Sequence, residues 1–485
     1  MVQKEKFKMY INGEWVESES GETFEIRSPV TGDAIAEIPL GGPEDVKKAV
    51  DAAYEAKTEI ASMPVYKRYK LMEKIAEAIR PGLEKYAYEV TLEQGKPIKE
   101  ARGEMEEVEP NIMEVAECAK KIETSVYQSL FKTDTRIIAI REPLGVVGVV
   151  TPWNFPWLIP TEAAPQAIVA GNSVVIKPAS NTPIGAIRMV QCMEKAGVPK
   201  GVINLVLGPG TTVGRALVTH PKVDGICMVG ETVTGQDIIK NASLKRVTLE
   251  LGGLGPLIVM DDANLEKAAE DAAYGCYYNA GQVCVSTERI LVHEKVHDKF
   301  VQKVMEKAEK WKLGNPFKED TMIGPMNNER GVQKVEEHIR DAVQKGAKVL
   351  VGGKRADGYS TRLYFEPTVV DGVATDMLFN STETFGPVAP IITFSSMDEA
   401  IEIANGTQYG LNSAIHTKNL KKAFYFAERL RTGQVVINDT VCCWEYLHPW
   451  GGMKNSGIGR MGGRHTLEAF TEYKSIILNL GKSDF

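Results

Sequence analysis

Long apolar runs are missing from this 485-residue chain: no stretch approaches the roughly eighteen consecutive apolar residues of a membrane span. No apolar leader follows Met1-Val2-Gln3-Lys4-Glu5-Lys6, so no export signal is expected either. Surplus positive charge is also absent. Lys and Arg total 57 against 64 Asp and Glu, a net charge of -7, whereas a nucleic-acid partner is usually met by a basic face. The seven cysteines, at 118, 192, 227, 276, 284, 442 and 443, follow no disulfide-framework spacing, and no metal-like Cys/His cluster occurs. A reducing, cytoplasmic setting without a metal site or membrane partner is the expectation. The seven histidines sit in no hydrolase signature, which leaves a cysteine hydrolase without the His that would activate its thiol.

What remains is an ordinary globular composition, 43% hydrophobic and 25% charged, with length for about three domains. Met9 to Val16 alternates around Asn12-Gly13, a strong hairpin signal. Pro43 opens a helix whose Val46, Ala49, Val50, Ala53 and Tyr54 recur with helical spacing. Helical patterns then run to Ala119 with a break near Arg80-Pro81-Gly82, followed by a strand-like pair at Val126-Tyr127 and Thr135 to Ile140. An isolated hairpin is marginal in water, so this one is expected to pair with something else.

From Gly145 short apolar runs alternate with helices: Val146–Thr151, Val174–Lys177, Val202–Leu207, Ile226–Val229 and Val247–Glu250. Continuous rather than alternating apolarity predicts parallel strands buried on both faces, a Rossmann-like unit suited to a dinucleotide. A second α/β pattern follows Gly253, with strands at Pro256–Met260, Arg289–His293, Lys348–Val351, Val388–Phe394, Ser413–Thr417 and Gln434–Asn438. The run from Gly208 to Gly214 approximates a dinucleotide fingerprint with its third glycine one position late, and reads equally as a plain strand-to-helix turn. Gly230-Glu231-Thr232-Val233-Thr234-Gly235 opens a helix whose N–H groups could face a pyrophosphate.

Chemistry concentrates at Cys284, set between two valines on the polar bend Asn279 to Ser286, where a thiol with free N–H groups around it can serve as a nucleophile. Glu250 ends one predicted strand ahead of Leu251-Gly252-Gly253, and Asn154 follows another inside Pro152-Trp153-Asn154-Phe155-Pro156. Carboxyl ends of strands are where open α/β sheets place their ligands. Taken singly each has a plainer reading: a buried small thiol, a helix-capping carboxylate, a turn amide. A thiol, a carboxylate and an amide donor are together the parts needed to make and hydrolyse a thioester.

These motifs, with Lys177-Pro178-Ala179-Ser180, Glu383-Thr384-Phe385-Gly386-Pro387-Val388 and Pro449-Trp450-Gly451-Gly452, resemble those of the aldehyde dehydrogenase superfamily, in its order and over nearly the whole chain. The resemblance implies an α/β fold with an NAD(P)-binding domain (1–121, 142–250 and 436–463), a catalytic domain (251–435) and a β oligomerisation arm (122–141 with 464–485) that makes a homodimer or homotetramer. It implies oxidation of a small-molecule aldehyde to an acid by NADP or NAD. Cys284 would attack the carbonyl, Asn154 and the Cys284 N–H would hold the oxyanion, and Glu250 would activate the hydrolytic water. Cofactor contacts would come from Thr151, Pro152, Trp153, Lys177, Ser180, Gly208, Gly230, Glu231, Leu251, Gly252, Glu383 and Phe385. Two departures stand out. Ser180 occupies a position where NAD-preferring members often carry Glu, so NADP acceptance is expected; Glu231 replaces a usual Ser beside the expected phosphates. The substrate tunnel would draw on Trp157, Tyr277, Tyr278, Trp444 and Glu445, and the absence of an arginine there points to neutral aldehydes. Two alternatives carry the same fold: a CoA-acylating enzyme, which would tend to lack the base at 250, and a catalytically silent, crystallin-like structural protein, against which intact Cys284, Glu250 and Asn154 speak.

Overall fold

The computed structural model describes residues 4–481. Its centre is an eight-stranded sheet in the order Gly457–Ile458, Arg246–Glu250, Gly225–Val229, Val146–Val150, Ser173–Lys177, Ile203–Leu205, Met9–Ile11, Glu14–Val16. The five strands from 246–250 to 203–205 run parallel, and their registers pair Val229 with Glu250, Met228 with Val150, and Val150 with Lys177. Those pairings align the carboxyl ends of the strands, so Glu250, Gly230, Thr151 and Lys177 leave the sheet along one edge. The outer hairpin turns through Asn12 and Gly13, both at positive φ (52° and 81°), as an Asn-Gly turn requires.

A seven-stranded sheet builds the second unit: Lys348–Val351, Thr368–Asp371, Val388–Phe394, Thr287–His293, Gly255–Val259, Asn412–His416, Gln434–Ile437. All its pairings are parallel except the first. Each sheet has its own apolar core, Val146, Val174, Ile176 and Ile203 in one, Leu257, Ile258, Leu291 and Ile391 in the other. The mixed α/β architecture expected from the sequence is the one observed. The strand Thr368–Asp371 went unforeseen, as did a small sheet of Glu5–Lys6, Ala34–Pro39 and Thr23–Arg27. The boundary expected at 436 falls inside the strand Gln434–Ile437 of the second sheet.

The helix Pro43–Ser62 buries Val46, Ala49, Val50 and Ala53 at the spacing the sequence shows, while Tyr54 stays exposed. Two further helices, Ile98–Ala119 and Leu158–Val169, pack against each other beneath the cleft between the units. The second is apolar nearly all round and correspondingly buried. A three-stranded antiparallel sheet joins Ser125–Gln128, Thr135–Pro143 and Thr471–Asn479. Its outer strand, 471–479, is exposed beyond Thr471 and turns Tyr473, Ile476, Ile477 and Leu478 to solvent. Among the described residues no helix is long and apolar enough to cross a membrane.

Candidate active site

Between the helix Leu265–Tyr277 and the strand Thr287–His293 the chain makes a turn in which Asn279 (φ 50°), Ala280 (φ 55°) and Gly281 (φ 71°) are successively left-handed. For the two residues with a Cβ this costs about 1–2 kcal/mol each, so the surroundings must impose it. They do so from both units. The Asn279 N–H donates to Glu100 Oε2 at 3.0 Å, its side-chain amide donates to the Asn154 carbonyl at 3.2 Å, and Gln94 Nε2 donates to Asn279 Oδ1 at 3.0 Å. Gln282 Nε2 returns to the Asn279 carbonyl at 2.9 Å while its Oε1 accepts from the Asn327 N–H at 2.9 Å. Cys284 follows this clamped turn, half-buried, and its N–H donates no hydrogen bond among the described residues.

Asn154 is buried, and its Nδ2 donates to the Gln282 carbonyl at 3.0 Å. An amide nitrogen carries two hydrogens, so one remains for a ligand. Glu250 is 2% exposed, and among the described residues neither of its carboxylate oxygens has a hydrogen-bond partner. Burial drives its pKa well above the usual carboxylate range, against the opposing charge of Arg460. Gly451 leaves it room, since a Cβ there would stand 2.7 Å from Glu250 Oε1. Burial also raises the Cys284 thiol, helped by the carboxylates of Glu383 and Glu250.

Cys284 lies on a wall shared by two cavities. One, of ≈ 320 Å³, is also lined by Asn154, Glu250 and the expected cofactor contacts Pro152, Trp153, Gly230, Glu231, Leu251, Gly252, Glu383 and Phe385. Trp153 and Phe385 meet edge to face at 5.6 Å, and Phe385 is held at φ 58° by Glu288, which accepts the N–H groups of Thr384 and Phe385 at 2.7 and 2.9 Å. Glu383 accepts from the Gly253 N–H at 2.9 Å, and burial lifts its pKa to about 8. A Cβ on Gly252 would reach to 3.0 Å of Glu383 Oε2, so glycine is what admits this carboxylate. The helix Thr232–Asn241 begins at the cavity, with Gly235 the first N–H bonded back, to the Glu231 carbonyl at 3.0 Å. Its earlier N–H groups are available to an anion.

The remaining expected cofactor residues do not line this cavity. Thr151 is buried with its hydroxyl unpartnered, and Lys177 is buried, which brings its pKa down to about 8. Ser180 donates to the Gly208 carbonyl at 2.9 Å, tying the 177–180 segment to the 208 turn. That turn is a wide helical loop, Gly210–Gly214, leading into the short helix Arg215–Thr219. The cavity also takes in Arg330 and Lys334 from the helix Glu329–Gln344, which the sequence did not single out. Arg330 faces Glu231 at 3.8 Å, so the unexpected carboxylate has an opposite charge across the opening.

The second cavity, ≈ 120 Å³, runs from Cys284 past Phe155, Tyr274, Tyr278, Trp444 and Trp450. Here the tunnel expectation needs correction. Tyr278 and Trp444 line it, but Trp157 is fully buried against Tyr86 at 4.6 Å, and Tyr277 points into the second core with its hydroxyl on the Thr368 carbonyl at 3.0 Å. Glu445 is exposed and outside the lining. The tunnel's carboxylates are instead Glu107 and Glu162. Glu162 had a sequence signal, being the sole charge in Leu158–Val169. Cys442 also faces the tunnel, its Sγ donating to the Val285 carbonyl at 3.4 Å, whereas Cys276 is buried. Among the described residues no group of His, Cys, Asp and Glu could hold a metal ion.

Comparison with known proteins identifies relatives over nearly the whole chain. The model of the Aldehyde dehydrogenase family matches residues 15–476. The chain is 39% identical over 476 residues to 3-sulfolactaldehyde dehydrogenase of Pseudomonas putida, covering 98% of this chain and 97% of that one. It is 40% identical over 477 residues to betaine aldehyde dehydrogenase of Bacillus subtilis, covering 97% of each. Among solved structures, an NAD-dependent aldehyde dehydrogenase of Sinorhizobium meliloti superimposes with a TM-score of 0.96 at 37% identity, over 99% of this chain and 96% of that one.

Proposed function

The chain belongs to the aldehyde dehydrogenase family, and on that footing we propose that Cys284, Asn154 and Glu250 carry out its oxidation of an aldehyde to a carboxylic acid. The observation that carries the assignment is the position of Cys284 on the wall common to both cavities, where a carbonyl entering from one side meets a nicotinamide from the other. Cys284 passes its proton to solvent water and adds through the thiolate to the carbonyl carbon, forming the oxyanion of a thiohemiacetal. The free hydrogen of Asn154 Nδ2 and the unbonded Cys284 N–H receive the oxyanion; losing one such donor costs about 3 kcal/mol of transition-state stabilisation. The nicotinamide of a bound NAD or NADP would supply the hydride acceptor for that carbon, and Cys284 is left holding the thioester. Glu250 then takes a proton from water, which attacks the thioester, expels the thiolate and releases the acid. A carboxylate with a pKa raised by burial is a stronger base than one in water.

The cavity fits a dinucleotide on its own features: glycine backbone at 230 and 252, an open helix N-terminus at 232, and a half-buried carboxylate at 383 beside the Trp153–Phe385 pair. Glu383 would hold the nicotinamide ribose and Phe385 would flank the ring. The N–H groups at the start of 232–241 would hold the phosphates, with Lys177 and Ser180 at the adenosine ribose. Ser180 presents no carboxylate to a 2′-phosphate, so NADP is accepted. The unpaired edge 471–479, with its exposed Ile476, Ile477 and Leu478, marks the three-stranded sheet as the arm of a homo-oligomer, since such an edge is otherwise an aggregation hazard. The two large sheets divide the roles, cofactor binding by the first and the nucleophile by the second. Seven free cysteines fit a cytoplasmic setting.

Stopped-flow absorbance of reduced nicotinamide tests the assignment. Cys284→Ala abolishes both burst and turnover, whereas Glu250→Gln keeps a burst near one equivalent per site and loses turnover. Full steady-state rates in either variant would sink it.

A further inference from the structure

The named relatives pull in opposite directions on substrate. Sulfolactaldehyde carries an anionic sulfonate and betaine aldehyde a quaternary ammonium, at 39% and 40% identity, so similarity does not choose between them. The tunnel does. We infer that it selects short aldehydes bearing a cationic group, an amine or quaternary ammonium, at the end remote from the carbonyl; this rests on Cys284 being the nucleophile.

The cavity ends on the Cys284 sulfur, so its occupant is the substituent of the aldehyde. Its lining includes two carboxylates, Glu107 and Glu162, and no Lys, Arg or His. Among the described residues neither carboxylate is in an ion pair. The cation that acts on Glu107 is Lys96, but it is fully buried and committed to Glu104 at 2.8 Å, with its ammonium 3.8 Å from the centre of the Phe155 ring. Glu162 has one distant donor, Asn111 Nδ2 at 3.5 Å. The rest of the wall is apolar, with Leu158, Ile159, Val229, Val283 and Val285 beside five aromatic rings. Tyr274 stacks on Tyr278 at 5.2 Å, and Trp444 meets Trp450 edge to face at 4.8 Å.

Two carboxylates without an ion-pair partner, in a lining that also carries five aromatic rings, suit a desolvated cation on both counts. Burial and the charges of Glu107 and Glu104 lift Glu162 to about 8, and burial also raises Glu107. An arriving cation would draw both back toward the ionised form, recovering an interaction the empty tunnel lacks. A carboxylate or sulfonate in the same place would meet two acidic groups and no cation, and would oppose their ionisation.

The test compares isosteres. Betaine aldehyde and 3,3-dimethylbutanal have the same shape and differ in one charge, and succinate semialdehyde supplies the anion. The wild-type enzyme should show kcat/KM at least about 10-fold higher for the cation than for its carbon isostere, with the anion lowest. Glu162→Gln and, separately, Glu107→Gln should collapse that ratio toward unity. Equal kcat/KM for the isosteres, or a cation preference untouched by both substitutions, overturns the inference. Oxidation of 3,3-dimethylbutanal without discrimination would leave the catalytic assignment standing, whereas absence of a burst with every aldehyde would remove that assignment first.

Discussion

Adding one methyl group at Gly281 should disable the enzyme without touching any reacting atom. A Cβ there would overlap the Gly386 carbonyl oxygen and stand 2.9 Å from the Cys276 carbonyl oxygen, pinched between two backbone groups that cannot rotate away. Restoring ordinary contact requires the turn to move by about 1 Å, and φ of 71° adds about 1–2 kcal/mol for any residue with a Cβ. The turn carries Cys284 and, through the Gln282 carbonyl, positions Asn154. A misplacement of about 1 Å at a reacting group costs on the order of 100-fold. Gly281→Ala should therefore lower the burst rate about 100-fold, while cofactor Kd, whose phosphate and adenosine-ribose contacts come from the first unit, changes far less. Ala280→Gly is the control: it relieves a left-handed alanine at φ 55° and, after the entropy glycine adds to the unfolded chain, should gain up to about 1 kcal/mol in chemical denaturation. The readouts are pre-steady-state absorbance and urea unfolding. A folded Gly281→Ala enzyme with the wild-type burst rate would show that the turn is not held by this close approach.

Ser180→Glu places a carboxylate against a 2′-phosphate, so kcat/KM for NADP should fall at least about 10-fold while that for NAD holds or rises; an unchanged ratio would move the ribose site elsewhere. Lys177, brought down to about 8 by burial, is charged below that pH and neutral above it. Its attraction for a phosphorylated ribose is therefore present at neutral pH and lost as pH rises through 8. KM for NADP should climb between pH 7 and 9.5 more steeply than KM for NAD, and parallel profiles would count against Lys177 as a contact. Glu231 faces Arg330 at 3.8 Å beside the expected phosphates. Glu231→Gln removes a like charge and frees Arg330, so KM for either cofactor should drop several-fold at low salt and less at high salt, where surface charges are screened. A rise in KM would show that the pair holds the cleft in its binding form.

The sequence disclosed whatever depended on backbone pattern and little that depended on rotation about a helix axis. The runs ending at Val150, Lys177, Val229 and Glu250 could be read because strands buried on both faces are continuously apolar, and a shared register sets their ends side by side. Once those ends align, Asn154 and Glu250 need no further information to reach one cleft. Tyr277 and Tyr278 show the limit. They are neighbours at a helix end, about 100° apart in projection, and one goes to the second core while the other walls the tunnel. Trp157 fails for the same reason. Glu107 lay hidden among the many charges of Ile98–Ala119, where a carboxylate on any face is unremarkable in sequence. Glu162 differs: one charge inside an otherwise apolar helix must find a polar use or carry a desolvation cost. Among the described residues no cation pairs with it and its one donor is a 3.5 Å amide, so burial holds its pKa up at about 8, and a cation entering the tunnel is what would favour its ionised form. A lone acid in an apolar helix is thus a sequence-level pointer to the sign of the ligand's charge, and the identity of the aromatic neighbours adds what the acid alone leaves open, that the cation is one able to shed its water.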